Sequence, residues 1–467
     1  MNDKLLSLVK PKIVLPLDDN FRPAVLWNYS FLDSIHSSKK SVSLTIGIEK
    51  EDDSVSVYKT KVFLDESNFA PSNYFYVEQL VKTLLWIYGG YKIIIGGSKK
   101  VGEYIKKIYS KEGKRSFDAN FMSAIYEKPF TVEITDTEKI SPAREKSILL
   151  GGHLEGCRIG FDLGASDRKV SAVIDGKAVF SEEVVWNPGT QNNPSYHYRE
   201  IMSMLHRAAA HMPRVHAIGG SSAGIYINNR VMRASIFRGI PPDLFESKVK
   251  NIFIDMQKEW GVPFKVINDG EVTALAGSMS LKKNAVLGIA MGSSEAGGYI
   301  NRKGNINPWL NELAFVPVDL NSKAPVDEWS GDRGCGVQYF SQVAAIRLAE
   351  RAGIILDKKQ SPAEKLKFIQ ELMINGDDRA RKIFETIGCY LGYGIAYYAQ
   401  FYEIETVLIL GRVTSGEGGQ IILQKAGQVL NEEFSELSGK ITLNLPDESS
   451  RRVGQSIAAA SLPLIND

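Results

Sequence analysis

The chain has 467 residues, 44% apolar and 24% charged, with a formal net charge of +2. That length accommodates two or three domains, each with a core of its own. The near balance of 56 basic against 54 acidic residues offers no electrostatic footprint for nucleic acid or an anionic membrane. Cys157, Cys335 and Cys389 are too few and too scattered for a disulfide framework, which favours a reducing compartment. Lys10, Pro11 and Lys12 interrupt the N-terminal apolar stretch, so it lacks the core of a signal peptide. No run reaches the length of a membrane span. The expected location is the cytoplasm.

In chain order, residues 1–137 read as an N-terminal α/β domain. Strands are expected over 41–48 and 55–63, a helix over 76–88 ending at Gly89-Gly90, a strand over 92–95 and a helix over 99–109. The wording YKIIIGGSKKVGEYIKKIY echoes TVLILGRVTSGEGGQIILQKA near the C-terminus. Residues 40–137 are therefore either a reduced copy of the fold that follows or convergent strand–Gly–helix wording. Residues 138–156, punctuated by Ser-Pro and Gly-Gly, read as a linker, and His153 within it as a solvated side chain.

The stretch Cys157–Lys177, CRIGFDLGASDRKVSAVIDGK, reads as strand, tight turn, strand, with Asp162 at the lip and Gly164 where backbone must come close to something. Consecutive N–H groups in such a turn make a concave anion site, Ser166 adds a hydroxyl, and Asp162 suits a hydrated Mg²⁺ bridging phosphates. An ordinary hairpin would read the same way. Downstream lie a strand over 178–185 and a helix over 195–212, whose His197, His206 and His211 have no spacing for a ligand pair. A strand over 215–218 ends in Gly219–Gly224, and a helix over 246–260 precedes the strand 263–267 that delivers Asn268-Asp269. After the helix 271–281, the strand 285–291 opens into Gly292–Gly298. A capping box at Ser361–Glu364 starts a helix, Asp377 caps a long one, and the strand 406–410 meets Gly411. A short helix over 456–462 closes the chain. Repeated strand–Gly–helix units in two groups argue for an α/β fold of two lobes.

Four features in this order, Asp162-Leu-Gly-Ala-Ser166, Asn268-Asp269, Gly292–Gly298 and Gly411, resemble the actin-like ATPase fold. In particular they resemble the ROK family of sugar kinases and repressors, over about residues 157–467. The resemblance implies a ribonuclease H-like, two-lobed fold. The first lobe would span 157–270, with 455–467 packing back on it, and the second 271–454. It implies ATP as phosphoryl donor and Mg²⁺ held through water by Asp162. Gly164, Ser166, Lys169, Gly292, Ser293, Gly297 and Gly411 would serve the nucleotide. Asn268 and Glu312 would hold the substrate, and Asp269 would act as general base at a strand end.

The departures are specific. Where the family reads Gly-Glu-x-Gly-His, this chain reads Asn311-Glu312-Leu313-Ala314-Phe315, so the His that meets both sugar and zinc is Phe315. Of the family's Cys-x-Cys-Gly-x-x-Gly-Cys-x-Glu, only Gly331, Gly334 and Cys335 hold, and the sugar-binding Glu is Val337. One Cys cannot make the usual tetrahedral site, so no zinc is expected. A second glycine expected after Gly411 is Arg412. Glu295 is expected to turn to solvent, because a carboxylate facing phosphates would repel them. The reading is an ATP-dependent kinase of a sugar or sugar-like substrate, with partners limited to small molecules and a homodimer suggested by the resemblance. The alternative is a non-catalytic nucleotide- or sugar-binding sensor or scaffold that kept the fold.

Overall fold

The computed structural model describes residues 7–38, 40–145, 151–446 and 448–465. Residues 146–150 of the expected linker and 466–467 of the closing segment lie outside the described residues. The described residues fall into two compact units. One is drawn from 1–146, 290–297 and 308–445, the other from 147–289, 298–307 and 446–467.

In the first unit, β1 (Ser41–Glu49), β2 (Val55–Phe63), β3 (Lys92–Gly96) and β4 (Thr131–Thr135) form a sheet in the order β2-β1-β3-β4. The alternation of 41–63 gives the hairpin, with Ser41 opposite Phe63 and Glu49 opposite Val55. The helix Ala70–Tyr88 then crosses to β3 and starts six residues before the expected position, because Pro71 is tolerated in its first turn.

In the second unit, β5 (Cys157–Leu163), β6 (Asp167–Ile174), β7 (Lys177–Val185), β8 (Ala217–Ser222) and β11 (Phe264–Asn268) form a sheet in the order β11-β8-β5-β6-β7, while β9 (Ile225–Ile227) and β10 (Arg230–Arg233) make a separate ribbon. β5 pairs antiparallel with β6 and parallel with β8, and every residue of β5 is buried, as a central strand covered on both faces requires. β8 does not stop at Ile218 as expected but runs through Gly219-Gly220 to Ser222. These glycines keep the strand flat beneath its neighbours: a Cβ on Gly219 would lie 1.7 Å from the Ala459 carbonyl, and one on Gly220 would lie 2.2 Å from the Phe161 ring. The helix Glu448–Ala460 lies on β5 and β8, where a Cβ on Gly160 would meet the Ser456 carbonyl at 1.7 Å. Arg158, fully buried, fixes the end of that helix by donating to the Pro463 carbonyl at 2.7 Å, a cation at the negative helix terminus. The expected single helix over 246–260 is instead broken at Lys250-Asn251.

The remaining sheet holds β12 (Val286–Met291), β13 (Glu295–Ile300), β14 (Thr406–Leu410) and β15 (Thr442–Asn444) in the order β13-β12-β14-β15, with β15 parallel to β14.

The echo between the N-terminal and C-terminal segments is partly physical. β3 and β4 are parallel, as β14 and β15 are, with helix between, and the two sheets share one neighbour order. The N-terminal sheet is nevertheless not a copy of the β5–β11 topology, since β3 runs antiparallel to β1 whereas β8 runs parallel to β5. The cause is a meander one strand short. A helical crossover joins strands that point the same way, so a crossover leaving β2 yields strands opposed to β1, and one leaving β7 yields strands aligned with β5.

Gly160→Ala is expected to destabilise the second unit by about 1–3 kcal/mol, read as a lower urea midpoint, with amide exchange accelerated in Glu448–Ala460 before the rest of the chain.

Candidate functional site

In the second unit, Asp162 and Asp269 stand near the C-terminal ends of two parallel strands, β5 and β11, with β8 between them. Asp162 lies directly across from Ser221 in the β5–β8 register. The Ser221 hydroxyl donates to its Oδ1 at 2.7 Å and in turn accepts from Gln455 at 3.3 Å. Asp269 opens the helix Asp269–Leu281, with Asn268 as N-cap. The Gly270 N–H donates to Asn268 Oδ1 at 2.7 Å and to Asp269 Oδ1 at 3.0 Å, and Asn268 Nδ2 donates to the Gly224 carbonyl at 2.8 Å. Asn268 thus fixes the strand-to-helix corner that aims Asp269.

Burial pushes the Asp162 carboxyl up from 3.8 to about 6, against the Ser221 hydrogen bond, and the Asp269 charge adds to the rise. Burial raises Asp269 as well, opposed by the backbone N–H groups of its helix start. Among the described residues neither carboxylate forms an ion pair, although Lys169, opposite Asp162 across the hairpin, eases its charge. A hydrated cation here would relieve the desolvation of Asp162 and its repulsion by Asp269.

The turn after Asp162 is clamped. The Gly164 N–H donates to the Asp167 carbonyl at 2.9 Å, and the Trp186 indole donates to the Gly164 carbonyl at 2.8 Å. Gly164 has an ordinary φ; an added Cβ would meet the Asp167 carbonyl at 3.0 Å. Ser166 is exposed at the tip, with its hydroxyl on Asp167 at 3.0 Å. Lys169 pairs with Asp167 at 3.4 Å and Glu183 at 4.0 Å.

The first unit gathers a different set. Gly292 begins the turn after β12, closed by its N–H to the Ser294 carbonyl and held by the Gln342 N–H on its own carbonyl, both at 2.9 Å. Nothing crowds Gly292, and Ser293 is exposed. Gly411 has φ +101°, and a Cβ there would lie 2.4 Å from the Met291 carbonyl. The structure therefore brings Gly411 against the strand that delivers Gly292. A Cβ on Gly297 would strike Leu313 at 2.7 Å, so this glycine serves packing of β13 against the segment carrying Glu312. Arg412 is exposed and starts a short helical turn.

Glu295 corrects the expectation that it turns to solvent. It is 3% exposed, accepts from the Tyr398 hydroxyl at 3.2 Å and leaves Oε2 without a hydrogen bond. Burial pushes its carboxyl up to about 8, countered by Tyr398 and reinforced by Glu312. At neutral pH it is a neutral acid. Gly336 makes room for it, since a Cβ there would sit 2.2 Å from Oε2.

Zinc does not fit where the family resemblance would place it. Phe315 stacks on Trp86 at 4.1 Å between ring centroids. Cys335 is a fully buried thiol whose charged form is disfavoured by burial. Among the described residues no group of three or more His, Cys, Asp or Glu could hold a metal ion. Sequence reasoning missed Ser221 and Gln455 beside Asp162, and Tyr226, whose hydroxyl donates to Ser222 at 2.7 Å and feels the Asp269 charge. Ser221 and Ser222 were visible in the run after Ile218, and pairing that run with the Asp162 strand would have found them.

No family model and no curated protein sequence matches the chain. Solved structures do. A ROK family transcriptional regulator, a homologue of the E. coli MLC protein, aligns with a TM-score of 0.54 at 16% identity, over 66% of this chain and 78% of its own. The fold is the ROK-type actin-like ATPase fold. A ROK hexokinase from Thermus thermophilus aligns with a TM-score of 0.50 at 17% identity, over 65% of this chain and 97% of its own. At such identities the ROK likeness is one of fold, and residue roles rest on the geometry above. No described helix is long and apolar enough to cross a membrane.

Two pH-dependent outcomes follow from the buried acids. A carboxyl raised in the folded state binds protons more tightly than in the unfolded chain, so stability falls as pH rises from 3.8 to about 6 for Asp162. Asp162→Asn is expected to be more stable than the wild type at pH 7.5, on the order of 1–3 kcal/mol, and equal to it near pH 4, by thermal denaturation. Glu295→Gln should match the wild type near pH 4 and exceed it by a margin that grows from about pH 4.5 to about pH 8 and then levels off.

Proposed function

We propose that this chain is an ATP-dependent kinase that phosphorylates a hydroxyl of a sugar or sugar-like substrate. The observation that carries the reading is the pair Asp162 and Asp269, one buried and one half-buried carboxyl group without an ion pair among the described residues, at parallel strand ends of one lobe. Such a pair is costly to a fold that does not use it. The Thermus relative of the same fold is called a hexokinase, which agrees with this reading.

Asp269 takes the proton of the attacking hydroxyl. Its raised pKa makes it a stronger base than an exposed aspartate, and the Asn268 cap keeps its carboxylate aimed from the helix start. The hydroxyl oxygen forms the new bond to the γ-phosphorus as the bond to the departing ADP oxygen breaks. Asp162 would hold magnesium through water; the ion would supply charge neutralisation on the phosphates. The clamped Gly164–Ser166 turn and the open Gly292-Ser293 turn offer backbone N–H groups to phosphate oxygens, with Lys169 adding charge. Gly411, packed against the Met291 backbone of β12, would lie on the adenosine side. Glu312 and Asn268 would accept and donate hydrogen bonds to substrate hydroxyls. The chain is proposed to work in the cytoplasm.

Phe315 and Val337 favour a second reading, a sensor that binds without turnover, because they remove polar anchors for sugar hydroxyls.

Release of ADP from Mg-ATP, measured against hexoses, aminosugars, N-acetyl sugars and polyols, separates the two. Sugar-dependent release that falls roughly 10²–10⁴-fold in Asp269→Asn, with nucleotide binding retained, is the expected result; activity should also rise with pH through the raised pKa of Asp269. Nucleotide binding without release across the panel would establish the sensor instead.

A further inference from the structure

Around Cys335 the first unit places a cation of its own. Lys82, fully buried in the helix Ala70–Tyr88, sets its ammonium 3.0 Å from Asp118 Oδ1 and 2.6 Å from Asp332 Oδ2. It is close enough to Cys335 to couple electrostatically. Arg115 closes the cluster, 2.7 Å from Asp332 and 2.7 Å from Glu78 of the same helix as Lys82. The Trp86 indole donates to Asp118 at 2.9 Å, and its ring stacks on Phe315. One turn later the same helix presents the Trp86 and Ile87 carbonyls to the N–H groups of Glu312 and Asn311, at 3.0 and 2.9 Å. Positions where the ROK pattern has metal ligands, 315 and 335, are thus both met by one helix face, Lys82 and Trp86 at i and i+4.

We propose that Lys82 replaces the structural zinc of the ROK pattern: a covalently tethered cation that orders the 327–336 loop and, through its helix, positions the backbone of Glu312. The N-terminal segment is then a fixed part of the substrate-side lobe. A buried ammonium with two carboxylates neutralises the loop as a metal would, but it cannot be chelated or exchanged, and it needs only one acidic loop residue, Asp332, in place of thiolates. The network meets the requirement that a buried charge be paired and hydrogen-bonded. This inference does not depend on catalysis, and its readouts are stability, exchange and metal content.

The test uses the full chain and three variants, Lys82→Met, Asp332→Asn and both together. The wild type is expected to carry no stoichiometric zinc by elemental analysis after incubation with zinc, and its Tm should not move with EDTA. Lys82→Met should lower Tm by roughly 5–10 °C and accelerate amide exchange across 327–336. Adding Asp332→Asn to Lys82→Met should cost less than Asp332→Asn alone, because it removes a carboxylate already left without its cation. One equivalent of zinc whose removal lowers Tm would overturn the proposal. So would a Lys82→Met protein with unchanged Tm and unchanged exchange in the loop, or strictly additive effects of the two substitutions. If Lys82→Met is not recovered folded, the zinc content and chelator response of the wild type still decide.

Discussion

The first unit depends on a buried charge cluster. Lys82 and Glu78 come from the helix Ala70–Tyr88, Asp118 from the helix Ser116–Tyr126, Arg115 from the cap that starts it, and Asp332 from a loop 250 residues beyond Lys82 in sequence. Burial disfavours the Lys82 ammonium, but Asp118 leads a set of neighbours that outweigh it and raise its pKa, while Lys82 and Arg115 together hold Asp332 below its usual range despite desolvation. A cluster of this kind adds little to stability over an apolar equivalent, yet removing one member strands its partners, at a cost of about 3–5 kcal/mol. Its value lies in registry. The helix Ala70–Tyr88 meets Asp118, Asp332 and the 311–312 backbone at once.

The second unit solves the opposite problem. There, Asp162 and Asp269 stand without an ion pair among the described residues, although burial disfavours their charge. Gly160 and Gly219 let the helix Glu448–Ala460 sit directly on the β5–β8 pair, which dries the sheet from behind and supplies Gln455 to the Ser221–Asp162 chain. The same close packing that stabilises the lobe raises the Asp162 carboxyl. Stability and the proposed role therefore pull against each other at one residue: a better-solvated Asp162 would cost the fold less, and would gain less from the proposed magnesium.

Much of this was legible in the sequence, and the boundary is physical. Local alternation gave the hairpins 41–63 and 157–174, and small residues at strand ends marked Asp162, Asp269 and Gly292. These signals lie within about ten residues of the site they form. Lys82 and Trp86 carried the right spacing, i and i+4, but a lysine on an apolar helix reads as a solvated stem until its partner is known, and Asp332 lies far along the chain. The expectation that Glu295 turns to solvent failed for a similar reason. Its neighbours in the loop suggested phosphate, whereas its burial depends on Tyr398, a hundred residues later, and on the missing Cβ of Gly336. The reversed direction of β3 followed from strand count, which was readable, but its consequence for sheet direction appears only when the crossover rule is applied to a two-strand meander.

Phe315, Val337 and Glu295 look like losses when compared with a sugar-binding pattern one residue at a time. In the structure they are coupled. Phe315 has no need to hold a metal because the aromatic face of Trp86 supports it, and Trp86 is placed by the indole bond to Asp118, which in turn is held by Lys82. Glu295, neutral at physiological pH, meets the same lobe from beneath through Tyr398 without adding a second negative charge beside Glu312. The polar anchors have thus not simply vanished from the lobe; support has moved from a metal and its ligands to a tethered ammonium and an aromatic stack. The consequence is a segment with fewer polar side chains at 315 and 337 whose backbone at Asn311 and Glu312 is tied to the Ile87 and Trp86 carbonyls. A backbone held in this way has less ordering left to pay for when a ligand binds.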